Sequence, residues 1–145
     1  MKDYILDACA IIAFLAGELG STIVAQILAD PNDRCFTHAV NLCEVYYDAI
    51  HKTDVPTARQ DMATLLAGGL TLRTDMDTAF WQRVGELKVS PGRLSLADCF
   101  ALTLAEGTSG TLVTSDHHEF DPIVPLGLCP IMFLRYTHRY GPLPT

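Results

Sequence analysis

Basic residues are scarce: this chain of 145 residues holds 10 Lys and Arg against 17 Asp and Glu, for a formal charge of −7. That is the wrong sign for gripping nucleic acid by bulk electrostatics, so any nucleic-acid role needs a local remedy. The pattern for disulfides or structural zinc is missing as well. The 5 cysteines, Cys9, Cys35, Cys43, Cys99 and Cys129, are odd in number and never spaced as CxxC. This favours free thiols in small apolar core positions and a reducing, cytoplasmic setting. No apolar run approaches the ~20 residues needed to cross a bilayer. The one stretch that could pass for a short signal sequence, Tyr4 to Gly17, is interrupted by Asp7, preceded by Asp3 and supported by a single cation, Lys2. The expectation is a cytoplasmic protein with no membrane association. No GxGxxG follows the first apolar run, which disfavours a dinucleotide fold.

What is present fits one compact domain over residues 1–145. With 49% hydrophobic and 19% charged residues, a chain of this length can bury roughly two thirds of its unfolded surface without disulfides or structural metal. Tyr4 to Asp7 reads as a strand closed by an acid, followed by a helix from Ala8 to Ala16. Gly17 and Gly20 break the pattern, Ser21 opens a second helix, and Asp30-Pro31-Asn32-Asp33 ends it. Arg34 to Thr37 reads as a strand. From Ala39 to Lys52 an apolar stripe of Leu42, Val45, Tyr46 and Ala49 opposes a polar side of Asn41, Glu44, Asp48 and His51.

Val55-Pro56 starts a further helix, closed by Gly68-Gly69, and a brief strand from Leu70 to Arg73 precedes a helix from Asp75 to Val89. Within that helix Phe80 and Trp81 are expected in core or dimer packing. After the Pro91-Gly92 loop, Ser95 opens an almost wholly apolar helix, Leu96 to Ala105. Thr111 to Thr114 is a β-branched strand leading into a polar turn, and Cys129 to Leu134 a last strand. Short apolar strands separated by helices predict an α/β fold: a mainly parallel central sheet in a three-layer α/β/α sandwich.

Four carboxylates, Asp7, Glu44, Asp98 and Asp116, fall just after a predicted strand or near the start of the following helix. In an open parallel sheet all strand C-termini share one edge, so acids far apart in sequence can meet there. Taken singly, each has a capping role available: Asp7 at a helix start, Asn41-x-x-Glu44 and Ser95-x-x-Asp98 as capping boxes, Asp116 in an Asx turn. Capping does not account for the company that Asp7 and Asp98 keep. Both are embedded in apolar runs, and burying an unpaired carboxylate costs several kcal/mol, more than the ~1 kcal/mol a cap returns. Either the acids are neutral or a cation compensates them.

No Lys or Arg lies inside these runs, so a hard divalent ion with oxygen ligands, Mg²⁺ or Mn²⁺, is the economical answer. Such a site suits phosphodiester hydrolysis. Two such ions would also bring the formal charge from −7 to −3 where phosphate must sit. Past Asp121 there are no acids, and the segment Arg135 to Tyr140 mixes cations with aromatics, suited either to base stacking or to packing on its own domain. A phosphatase of the haloacid-dehalogenase type would want Asp two positions after Asp7, where this chain has Cys9.

The motifs Tyr4-Ile5-Leu6-Asp7, Asn41-Leu42-Cys43-Glu44-Val45, Leu94-Ser95-Leu96-Ala97-Asp98 and Leu112-Val113-Thr114-Ser115-Asp116 followed by Phe120, in that order, resemble a PIN domain over essentially the whole chain. The single-domain layout is most similar to the VapC-like toxins of toxin–antitoxin pairs. The resemblance implies a Mg²⁺-dependent ribonuclease, with Mn²⁺ able to substitute, commonly a homodimer and held inactive by a cognate antitoxin. Carried over by position, Asp7, Asp98 and Asp116 would be direct or water-mediated metal ligands, and Glu44 would complete the acidic cluster. Thr114 or Ser115 would hydrogen-bond a ligand carboxylate or serve as a turn hydroxyl, and Asp121 would be an accessory acid or a loop cap. The chain departs from the family in carrying Ala8 and Cys9 where many members place Ser or Thr. His117-His118 are expected as exposed loop histidines. The competing expectation is a catalytically inactive PIN-like module that binds protein or RNA.

Overall fold

The computed structural model describes residues 1–91 and 93–135. Five strands form a wholly parallel sheet in the order β3-β2-β1-β4-β5: β1 (Asp3–Leu6), β2 (Arg34–His38), β3 (Leu70–Arg73), β4 (Thr111–Thr114) and β5 (Ile131–Phe133). Between them run helices α1 (Ala8–Leu15), α2 (Ser21–Ala29), α3 (Ala39–Lys52), α4 (Val55–Ala67), α5 (Thr78–Val89), α6 (Leu96–Thr108) and the short α7 (His117–Phe120). Among the described residues no helix is long and apolar enough to cross a membrane.

The strand period of two sorts the sheet residues into two cores. Tyr4, Leu6, Cys35 and Val113 join the cluster built from α1 to α4, whereas Ile5, Phe36 and Leu112 join the one built from α5 to α7. Both faces of the sheet are therefore covered, and the expected three-layer α/β/α sandwich is the observed one. The chain leaves β1 for β2 and β3 on one side, then returns to β4 and β5 on the other, so β1 is where the strand order reverses. In open parallel sheets ligands bind at the strand C-termini beside such a switch point.

Several details depart from the sequence expectations. Helix α5 starts at Thr78, not Asp75: Asp77 caps it by accepting from the Phe80 N–H at 2.9 Å, and the Arg73–Asp75 ion pair holds the residues before it in a loop. Asn41 is not a helix cap. The cap of α3 is His38, whose Nδ1 accepts from the Val40 N–H at 3.1 Å while Nε2–H donates to the Asp75 carbonyl at 2.9 Å. Nor does Asn41 lie on the polar side of α3, since it is fully buried. The polar turn after β4 contains α7, and the last strand is shorter than Cys129 to Leu134. Cys35 and Cys99 are core residues as expected, but Cys43 is exposed. Trp81 is 50% exposed and thus outside the core, while Phe80 packs against it. Of the segment Arg135 to Tyr140, all but Arg135 lies outside the described residues.

Candidate metal centre

Each acid reaches the C-terminal edge of the sheet by a different local device. Asp7 follows β1 immediately and caps α1, its Oδ1 accepting from the Ala10 N–H at 2.8 Å. Asp98 lies in the first turn of α6, where Ser95 caps the helix by accepting from the Asp98 N–H at 3.1 Å. Asp116 follows β4: its own N–H donates to Thr114 Oγ1, and its Oδ1 accepts from the Glu119 N–H, both at 3.0 Å. Glu44 stands on α3, half-buried, and accepts a long hydrogen bond from the Tyr47 hydroxyl at 3.4 Å. Thr114 is thus a buried brace for the Asp116 turn, and the Ser115 carbonyl accepts from Arg135 Nε at 3.2 Å.

Carboxylate oxygens of Asp98, Asp116 and Glu119 all lie within 4.8 Å of one another. Asp7 is not in that trio but feels it: burial, reinforced by the charges of Asp98 and Asp116, pushes its carboxyl up to about 7, against the opposing pull of the Thr114 hydroxyl and the Ala10 N–H. Asp98 is pushed up to about 6, again chiefly by burial, opposed by Ser95 and reinforced by Asp116, Glu119 and Glu44. Glu44 therefore stands within electrostatic reach of the cluster without joining the three convergent oxygens. Burial and then the surrounding acids drive the Cys9 thiol far above its ordinary value, which disfavours the thiolate there.

The donor set fits a hard cation. Asp7 is 0% exposed, yet its Oδ2 has no hydrogen-bond partner, and Glu119 Oε2 is buried and unpartnered in the same way. Among the described residues, Lys and Arg pair with Asp3, Asp48, Asp75, Glu86 and Glu106, and with none of the clustered acids. An unpaired carboxylate in the interior is tolerated only if it is neutral or if it ligates an ion. All-oxygen donors suit Mg²⁺ or Mn²⁺ better than a thiophilic metal.

Two residues at this edge escape the sequence reading. Glu119 lies in a segment whose pattern predicts a polar turn, although Asp116-His117-His118-Glu119 has the spacing of a capping box. Asn41 falls on the side of α3 that the amphipathic pattern predicts to be polar. Its buried Oδ1 accepts from the Ala8 N–H at 3.3 Å, satisfying an otherwise orphaned amide at the start of α1, next to Asp7. Its Nδ2 is also buried and unpartnered.

The family model described as PIN domain matches residues 4–123. The chain belongs to the PIN-domain family. Its fold is shared with solved toxin–antitoxin structures at low sequence identity. VapBC2 from Rickettsia felis, bound to a DNA fragment from its promoter, aligns with a TM-score of 0.71 at 18% identity over 90% of this chain and 98% of that one. VapBC-1 from nontypeable Haemophilus influenzae gives 0.69 at 17% identity over 91% and 98%. VapC20 of Mycobacterium tuberculosis, a Sarcin-Ricin loop cleaving toxin, gives 0.64 at 12% identity over 82% and 94%. No curated protein matches the chain in sequence. The PIN-domain sheet carries its acids at the edge described above, at the reversal point of the strand order.

Proposed function

We propose that this PIN domain is a Mg²⁺-dependent endoribonuclease, with Mn²⁺ able to substitute, and the toxin of a cytoplasmic toxin–antitoxin pair. The observation that carries the reading is the buried Asp7 carboxylate, one oxygen unpartnered, facing other acids that pair with no Lys or Arg among the described residues. Asp7, Asp98 and Asp116 hold the ion, Glu119 adds a fourth carboxylate at the same place, and Glu44 at the rim orients water. A divalent ion bound there supplies a water of lowered pKa and positive charge for the scissile phosphate.

The chain's own residues supply the positioning. The Ala10 N–H holds one oxygen of Asp7 and the Glu119 N–H one oxygen of Asp116, which fixes the orientation of both carboxylates. Burial of Asp7 and Asp98 keeps water from their carboxylates and strengthens their pull on a cation. The partners proposed are an RNA substrate, a cognate antitoxin and a second copy of the chain in a homodimer. The antitoxin is supported by the toxin–antitoxin complexes among the similar folds.

The test is cleavage of structured and single-stranded RNA by purified, antitoxin-free protein in Mg²⁺, Mn²⁺ or EDTA, beside Asp7→Asn and Asp98→Asn. Cleavage is expected with either metal, with about a hundredfold loss or more in each variant and none in chelator. Cutting that persists in EDTA, or that survives both substitutions, rejects the mechanism. RNA binding without product under any metal condition assigns the chain to the inactive-module class instead.

A further inference from the structure

Asp116 and Glu119 ride on α7, a helix of 4 residues, too short to be stable by itself. Something must hold it. His117, between the two acids in sequence, is not the exposed loop residue expected of it: its side chain retains only 10% exposure, whereas the neighbouring His118 is exposed. The imidazole lies flat on Phe133 of β5, with ring centroids 4.0 Å apart and planes 10° from parallel. Nδ1 sits 2.7 Å from Asp121 Oδ1, at the far end of the same turn, and Nε2 meets the Arg135 carbonyl.

The stitching continues in the other direction. Arg135 Nε donates to the Ser115 carbonyl at 3.2 Å, and the Leu134 N–H donates to the Thr114 carbonyl at 2.9 Å. One ring therefore ties both ends of the α7 turn to the strand beside it. We infer that His117 is a positioning residue: its clamp between Phe133, Asp121 and the Arg135 carbonyl fixes α7 so that the Asp116 and Glu119 carboxylates converge on Asp98 as a divalent-cation site. The inference rests on the proposed reading of these acids as metal ligands. Residues that orient ligands through hydrogen bonds typically alter metal affinity about 10- to 100-fold when lost.

The experiment measures Mn²⁺ affinity by calorimetry, and by the electron paramagnetic resonance of free ion, on the full-length chain. His117→Phe keeps a ring to lie on Phe133 but has no nitrogen for Asp121 or Arg135. It is expected to bind Mn²⁺ about 10-fold or more weakly, with kcat on RNA lowered and KM little changed. Asp121→Ala and Asp121→Asn separate the hydrogen bond from the charge, because both remove a negative charge while only Asn keeps an oxygen that accepts from Nδ1. Ala is expected to weaken binding by about 3- to 10-fold and Asn to stay nearer wild type.

Equal losses in the two Asp121 variants would assign the effect to charge and overturn the clamp. Wild-type affinity in His117→Phe overturns it as well. If His117→Phe does not fold, as judged by circular dichroism, the Asp121 pair decides. A wild-type chain that binds no Mn²⁺ overturns the metal reading itself, an outcome distinct from wild-type binding that His117→Phe leaves intact.

Discussion

Asp3 and Asp7 stand at opposite ends of β1, and their carboxylates meet opposite environments. Asp3 receives both Nε and Nη2 of Arg34 at 2.7 Å each, across the edge where the strands begin. Asp7, at the edge where they end, is fully buried with one oxygen unpartnered and other acids as neighbours. The same contrast separates Asp75, held bidentately by Arg73, from Asp98, which has no cation. A chain able to place a guanidinium on both oxygens of Asp3 and Asp75 leaves its most deeply buried carboxylates without one. Those acids are thus left either to hold a proton or to take a counter-charge from outside the chain.

The sharpest way to probe the contrast is pH. Burial raises the folded-state pKa of Asp7 from the ordinary 3.8 to about 7, so between those values the folded chain keeps a proton that the unfolded chain has released. The Asp7 contribution to the stability of the metal-free protein is therefore fully present below about pH 4, declines as pH rises towards 7 and levels off above it. The decline from Asp7 is roughly 4 kcal/mol at most, and Asp98, raised to about 6, adds in the same direction. Saturating Mn²⁺ replaces the proton and should stabilise the fold above pH 7, by about 2.7 kcal/mol at a hundred times its Kd. Melting curves in EDTA and in Mn²⁺ from pH 5 to 8 measure both effects. Asp7→Asn should flatten the EDTA slope and raise the metal-free Tm at pH 8, and a slope unchanged by that substitution would show that Asp7 is not the buried charge at issue.

How much of this was visible beforehand follows the same physics. The strands and their covering helices were legible because apolar β segments alternate with longer helical patterns, and parallel pairing follows from that alternation. Asp7 and Asp98 were legible because an acid inside an apolar run has few explanations. Glu119 was not, since a helix of 4 residues carries no periodic signal and its acid lay in a stretch read as a polar turn. Asn41 departs from its expected polar face because the amphipathic pattern assumes a single buried face. The first turn of α3 is also covered by the start of α1, so a residue on its outer stripe is buried there. His38 is an uncommon cap, chosen here because its ring also stacks on Phe80 at 5.3 Å and reaches the Asp75 carbonyl.

Asn41 offers a finer cut at the same edge, because it touches the Asp7 junction without being acidic. Asn41→Ala removes the acceptor of the Ala8 N–H at the buried start of α1, which should cost about 1–3 kcal/mol of stability. Denaturant unfolding in EDTA measures it. The loss should be present at every pH, unlike the Asp7 contribution, since no proton is involved. A loss that disappears at low pH would mean that Asn41 acts through the Asp7 charge rather than through the amide.

The smallest effect belongs to the other end of β1. Asp3→Asn removes one partner of an ion pair whose Arg34 side chain is 57% exposed, so water solvates the released guanidinium and little is lost. The expected shift in Tm is no more than about 2–4 °C, reduced further in high salt because an exposed pair is screened. Mn²⁺ affinity should be unchanged, since Asp3 lies a full strand away from Asp7 and on the opposite edge of the sheet. A drop in Mn²⁺ affinity comparable to that of Asp7→Asn would erase the distinction between the two ends, because the cation would then be drawn by the summed negative charge of the molecule rather than held by the buried cluster.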